Sequence, residues 1–121
     1  MLAEVKKCDL TKEYYFDEGC FITELSNSIS DEQLSIARAR VEPGKTTKWH
    51  YLKNTTERYV ILEGEGIVEI GELAERVVTA GDVVIIPSET RQRISNSGKD
   101  DLIFLALCTP CFTTDAYVSM E

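Results

Sequence analysis

His50 is the only histidine among the 121 residues, and it stands in a run of chemically able side chains, KWHYLKNTTERY, at 48–59. Glu57 follows seven positions later. Imidazole nitrogen and carboxylate oxygen are both suitable ligands for a divalent first-row metal. The same two groups, held together away from water, can form an ion pair or a shared-proton pair and do acid–base work. Either use requires the side chains to meet. In an extended chain alternate residues share a face, so an inward His50 takes Lys48 and Leu52 with it and turns Trp49 and Tyr51 outward. Glu57, Tyr59 and Ile61 share a face of the next strand, and a hairpin between the two would bring His50 and Glu57 to one point.

The elements that must position these residues are short and of period two. FITEL (21–25), LSIARARV (34–41), TTKWHYL (46–52), ERYVILEG (57–64), GIVEI (66–70), DVVIIP (82–87), QRISN (92–96) and LIFLALC (102–108) read as strands rich in branched and aromatic residues. Turn chemistry separates them: EPGK, LEGEG, AGD and NSGKDD each supply Gly, Pro, Asn or Asp where the chain must reverse. Gly64 and Gly66 flank an acidic tip that reads as a hairpin. Helix is nearly absent, with 8–15 and a turn over Asp115–Ser119 the exceptions. The expectation is an all-β barrel or sandwich in one domain, because a chain of this length closes one core and not two.

Thirteen basic against twenty-one acidic residues leave a net charge of −8, which repels phosphate backbones and anionic headgroups. No nucleic-acid or membrane partner is expected. No apolar run reaches signal-peptide or membrane-spanning length, so the reading is a cytoplasmic protein.

Cys8, Cys20, Cys108 and Cys111 are too few for a disulfide scaffold and are expected to stay reduced. CTPC (108–111) closes a β-like run instead of opening a helix, so it reads as a strand end leaving the sheet and not as a redox pair. Arg38 and Arg40 share one strand face; they would clamp an anion if that face lined a barrel mouth, but a solvated or subunit-facing position is the commoner use of such a pair. Arg91 and Arg93 flank Gln92 and face out if it faces in. Trp49 and Tyr51, outward by alternation, leave aromatic surface that a second subunit could cover.

From Gly44 to Gly64 the chain resembles the first motif of the cupin superfamily, G-x5-H-x-H-x3-4-E-x6-G. Gly44, His50, Glu57 and Gly64 fall in register, and Leu52 occupies the second histidine slot. Gly81 to Asn96 resembles the second motif, G-x5-P-x-G-x2-H-x3-N, with Gly81, Pro87 and Asn96 in place, Glu89 in the glycine slot and Gln92 in the histidine slot. The resemblance covers about residues 21–111. It implies a small double-stranded β-helix (cupin, jelly-roll-like) barrel forming a single domain over 1–121, with a short N-terminal arm and a C-terminal tail, often dimeric, and with its site inside.

Carried across residue by residue, the resemblance implies metal ligands at His50, Glu57 and Gln92, with none at Leu52. Such a set is harder and weaker than one of three histidines, and the leucine raises the cost of keeping an ion beside it. For cofactors the expectation is therefore either a divalent metal (manganese, iron, nickel or zinc) or none. Two functions follow. One is a divalent-metal-dependent enzyme of isomerase, decarboxylase or dioxygenase type acting on a small polar metabolite, the ion polarising substrate oxygens and Glu57 or His50 moving a proton. The other is a ligand-binding or sensor barrel without catalysis, in which Leu52, Tyr59 and Ile94 form an apolar wall and the polar trio, Gln92 included, orients the ligand. A homodimer is expected in both.

Overall fold

Alternation of branched and polar residues drives nearly every element of the computed structural model, which describes residues 1–121. Eleven strands form: β1 (Tyr14–Phe16), β2 (Cys20–Ser28), β3 (Asp31–Val41), β4 (His50–Leu52), β5 (Thr56–Glu63), β6 (Glu65–Ile70), β7 (Arg76–Thr79), β8 (Val83–Ile86), β9 (Gln92–Asn96), β10 (Leu102–Thr109) and β11 (Tyr117–Ser119). They make a six-stranded sheet in the order β1-β2-β3-β10-β5-β8 and a five-stranded sheet in the order β11-β4-β9-β6-β7, all pairs antiparallel. One apolar cluster joins the two sheets, with Ile22, Ala39, Ile61 and Phe104 from the first meeting Val68, Ile70, Val78 and Ile94 from the second. The expected double-stranded β-helix barrel is the architecture found.

Eight strands lie where the alternation places them. β1, β7 and β11, three or four residues each, do not announce themselves, whereas the equally short β4 and β8 do so because they lie within the longer runs 46–52 and 82–87. β1 and β11 extend the two sheets beyond residues 21–111. In the N-terminal arm only Leu10–Lys12 form a 3₁₀ turn, capped by the Asp9 carboxylate. At the tail the turn ends at Ala116, and Tyr117–Ser119 pair with β4 instead of continuing as helix.

Two expected hairpins are absent. β4 and β5 belong to different sheets, and so do β5 and β6, so each connection crosses the barrel instead of folding a strand onto its neighbour. At the second crossing Gly64 takes φ +87°, and a Cβ there would stand 2.6 Å from the Asp101 carbonyl oxygen. That position needs glycine for both its backbone angle and its close approach to β10. In the second motif's glycine slot, Glu89 itself adopts a positive φ of 60°, and its carboxylate accepts from the Asn54 N–H at 2.9 Å.

Strand β4 begins only at His50, so alternation does not govern Lys48. Its side chain turns out to Asp17, 3.6 Å away, instead of entering the barrel. Trp49 does point outward, but the guanidinium groups of Arg91 and Arg93 lie over its ring, 4.6 and 4.4 Å from the centroid, and it is half-buried within the chain. Arg40 donates to Glu13 at 2.7 and 3.0 Å and lies over Phe21, while Arg38 stands 3.5 Å from Glu13. The arginine pair therefore ties the N-terminal arm to β3. β10 ends at Thr109, so CTPC is the strand end leaving its sheet.

Candidate active site

Between the sheets lies a cavity of about 270 Å³ whose lining is mostly apolar and includes His50, Leu52, Glu57 and Tyr59. β4 supplies His50 and Leu52 and β5 supplies Glu57 and Tyr59, so the pairs reach the cavity from opposite sheets. Gln92 is the direct cross-strand neighbour of His50, but it stands behind the lining, and its amide oxygen accepts from the Tyr59 hydroxyl at 2.5 Å. Ile94 is fully buried in the apolar cluster and lies outside the cavity wall.

A further residue, unmarked in the sequence reading, completes the site. Glu18 sits at the tip of the β1–β2 turn, where Gly19 at φ +109° donates its N–H to the Phe16 carbonyl. Its carboxyl lies 3.2 Å from His50 Nε2. The backbone of Lys48 holds the two together: its N–H donates to the Glu18 carbonyl at 2.8 Å, and its own carbonyl is 2.7 Å from His50 Nδ1. A carbonyl can only accept, so Nδ1 carries the proton and the neutral ring presents Nε2 as an acceptor toward Glu18. An acidic residue beside a glycine in a turn ordinarily reads as solvated surface, and no local signal distinguishes this one.

Burial sets the protonation. Desolvation raises Glu18 to about 8, with the nearby Glu57 charge adding to the rise and the Cys20 thiol, which donates to Glu18 at 3.3 Å, opposing it. Desolvation likewise lowers His50, against the pull of the Lys48 carbonyl. Both shifts favour a neutral acid donating to a neutral imidazole. Tyr117 stacks on that ring, with centroids 4.9 Å apart, and Phe16 packs edge-on against Tyr117.

Glu57 is raised to about 7, again chiefly by desolvation. Its Oε2 receives only a long contact of 3.7 Å from the Cys108 thiol. Gln92 lies near enough to moderate the rise, but its Nε2 and Glu57 Oε1 fall short of a hydrogen bond, and both atoms are buried without a partner in the protein. An unpaired buried carboxyl oxygen is costly unless a ligand or a proton satisfies it.

The donors do not fit a metal ion. Glu18 engages His50 Nε2, Tyr59 engages the Gln92 oxygen, and the free end of that amide is an NH₂, which coordinates nothing. No three His, Cys, Asp or Glu side chains converge as a cation would need. Leu52, 3% exposed, fills the remaining position with hydrocarbon.

The model for the family described as Cupin domain matches residues 37–108, which include His50, Glu57 and Gln92. An uncharacterized protein of Methanocaldococcus jannaschii, MJ1618, is 32% identical over 107 residues, spanning 87% of this chain and 85% of that one. Among solved structures the barrel is similar to Streptomyces Pac13, described as a nucleoside dehydratase (TM-score 0.77, 16% identity, 95% of this chain and 90% of that one). It is also similar to KdgF of a Halomonas species (TM-score 0.78, 16% identity, 90% and 96%). The capsular polysaccharide assembling protein CapF of Staphylococcus aureus matches over 90% of this chain (TM-score 0.76, 20% identity), but the chain spans only about a third, 34%, of CapF. At such identities these structures speak for the fold alone. Motif spacing, facing sheets and the match over 37–108 agree, and the chain belongs to the cupin family.

Proposed function

We propose that the barrel interior binds a small organic molecule and transfers a proton on it without a metal ion, using Glu57 as the acid or base and the Glu18–His50 pair as its partner. The observation that carries this reading is Glu57, a residue of the wall of a cavity that also holds that pair, with its carboxyl Oε1 buried and unpartnered in the protein. Proton transfer requires a group near neutrality in reach of the ligand. Glu57 at about 7 and Glu18 at about 8 bracket that range, and two carboxyls set apart by their surroundings divide the roles of base and acid. His50 accepts from Glu18 and, being locked in one tautomer by Lys48, orients that carboxyl.

The test is proton NMR in D₂O of a panel of small compounds bearing C–H bonds next to a carbonyl or imine, with chelator-treated protein. Loss of a C–H signal with wild-type protein but not with Glu57→Gln supports the proposal. Exchange that appears only after metal is added overturns its metal-free part. Binding with no exchange across the panel favours the second reading, a ligand-binding barrel without chemistry, which Leu52 and the apolar lining support.

The setting we propose is a cytoplasmic homodimer. The four cysteines are free, as a reducing compartment would leave them, and no helix is long and apolar enough to cross a membrane. On the outer faces of β7 and β8, exposed Val77, Val83 and Ile85 surround a groove with Leu73, and Arg76 and Asp82 beside it offer a two-fold-related copy opposite charges.

A further inference from the structure

The cavity wall combines six aromatic rings with three carboxyl side chains and contains no lysine or arginine. Tyr14, Phe16, Tyr59, Phe104, Phe112 and Tyr117 supply the rings; Glu18, Glu24 and Glu57 supply the carboxyls. Their placement is uneven. Glu24 at the rim is exposed and accepts from the Tyr14 hydroxyl at 3.0 Å, and Glu18 is committed to His50 and Cys20. Glu57 alone of the three is buried with a carboxyl oxygen that has no partner in the chain.

A buried carboxylate is tolerated when a positive charge stands beside it. Here the protein supplies none: His50 is turned to Glu18, and Arg58, on the same strand as Glu57, donates to Thr109 and the Thr56 carbonyl instead of entering the cavity. Glu57 is therefore left to a proton or to a positive charge that arrives with the ligand. Aromatic faces complement such a ligand, because the electron-rich ring face attracts a cation within about 6 Å of its centroid. The same wall offers an anion no counter-charge, since no lysine or arginine lines it.

We infer that the molecule held in this cavity is an organic cation, an amine or other protonated nitrogen base with an apolar body, seated with its charged end at the Glu57 carboxyl and its body among the aromatic rings. The inference rests on the proposed function for the location of the site and adds the chemical class of its ligand. The rim pair, Glu24 with Tyr14, gives an approaching cation its first contact. An amine arriving neutral takes the Glu57 proton, and one arriving as ammonium displaces it to solvent; either way the bound state is an ammonium–carboxylate pair.

Three probes of nearly equal size and shape separate charge from shape: benzylamine, benzyl alcohol and benzoate. Each is titrated into ¹⁵N-labelled wild-type protein and into Glu57→Gln at pH 7, with the shifted amides mapped onto the cavity strands. The expected result is benzylamine binding at least about tenfold more tightly than benzyl alcohol, a difference that Glu57→Gln abolishes, and no cavity shifts with benzoate. Benzoate or benzyl alcohol binding as tightly as benzylamine overturns the inference, and so does a preference for the amine that survives in Glu57→Gln. Because the variant could lose binding by misfolding, its amide spectrum outside the cavity serves as the control, and Tyr117→Leu, which removes a ring and no charge, is expected to weaken benzylamine more than benzyl alcohol. C–H exchange that persists while all three probes bind alike would sink the cation inference and leave the proposed function standing; a cation preference without exchange does the reverse.

Discussion

Glu18 and His50 meet at 3.2 Å inside the barrel, joined through the backbone of Lys48, which receives the imidazole with its carbonyl and anchors the Glu18 turn with its N–H. Burial of that pair leaves the Glu18 carboxyl protonated near neutrality. It therefore makes the stability of the fold depend on pH in a definite direction.

For Glu18 and Glu57 the folded values, about 8 and about 7, lie above the ordinary carboxyl value of 4.5. The folded state then binds more protons than the unfolded chain, so the stabilisation is full below 4.5 and is lost as pH rises through 7 and 8. Cys20 and Cys108, pushed upward from 9.0, add to the loss as pH nears 9, His50, pushed down from 6.5, opposes it only below about that value, and Tyr59, pushed upward from 10.0, acts beyond the window. The melting temperature is expected to fall by at least about 5 °C between pH 6 and pH 9, and a Glu18→Gln/Glu57→Gln variant to show a flatter profile. Calorimetry across that range checks both.

Glu57→Gln preserves shape but cannot carry the proton. For whichever compound exchanges its C–H in D₂O, the rate is expected to drop by about 100-fold or more. Thermal stability at pH 8 should hold or rise, because the variant removes a buried group that must otherwise ionise. A fall in rate together with a collapse in stability would assign Glu57 a structural role instead.

Metal removal is expected to change little. Dialysis against a chelator should leave the melting temperature within about 1 °C, and added manganese, iron, nickel or zinc should raise it by no more, since a ligand stabilises only in proportion to its occupancy of the folded state. Differential scanning fluorimetry suffices, and a metal-dependent rise of several degrees would contradict the donor chemistry read from His50, Glu57 and Gln92.

Gly64→Ala places a methyl group 2.6 Å from the Asp101 carbonyl oxygen at a backbone angle of φ +87°. The expected cost is about 2 kcal/mol or more, combining the left-handed penalty with a clash against backbone that cannot move without disturbing β10. Chemical denaturation measures it. A Gly44→Ala control, where φ is +78° but nothing stands within 4 Å of the added methyl, isolates the clash.

Ile85→Lys addresses the outer apolar patch. Ile85 is 66% exposed, so the change should cost the isolated barrel less than about 0.5 kcal/mol. Light scattering after size exclusion is expected to give a dimer for the wild-type chain and a monomer for the variant. A wild-type monomer would refute the dimer.

Much of the barrel was legible because burial on one face writes a period of two into each strand longer than about five residues, and the turn residues stand between them. His50 and Glu57 could be picked out by residue type, and Gln92 through the resemblance to the second cupin motif. What spacing could not supply was the route by which they meet. Local alternation is blind to which strand pairs with which, so His50 and Glu57 read as hairpin partners when they belong to facing sheets, and Gly64 read as a hairpin tip when it marks a crossing. Glu18 was invisible for the same reason: its role depends on the β1–β2 turn lying against Lys48, a contact between segments remote in sequence. Ile94 alternates like a wall residue, yet it lies in the apolar cluster instead of the cavity wall. The sequence by itself determined the strands, the turns and the polar residues available to a site, because these follow from neighbours a few positions apart. Only the tertiary structure decided which of those residues share a cavity, which lose their water, and which carboxyl is left without a partner, because desolvation and pairing are set by whatever the rest of the chain packs around each group.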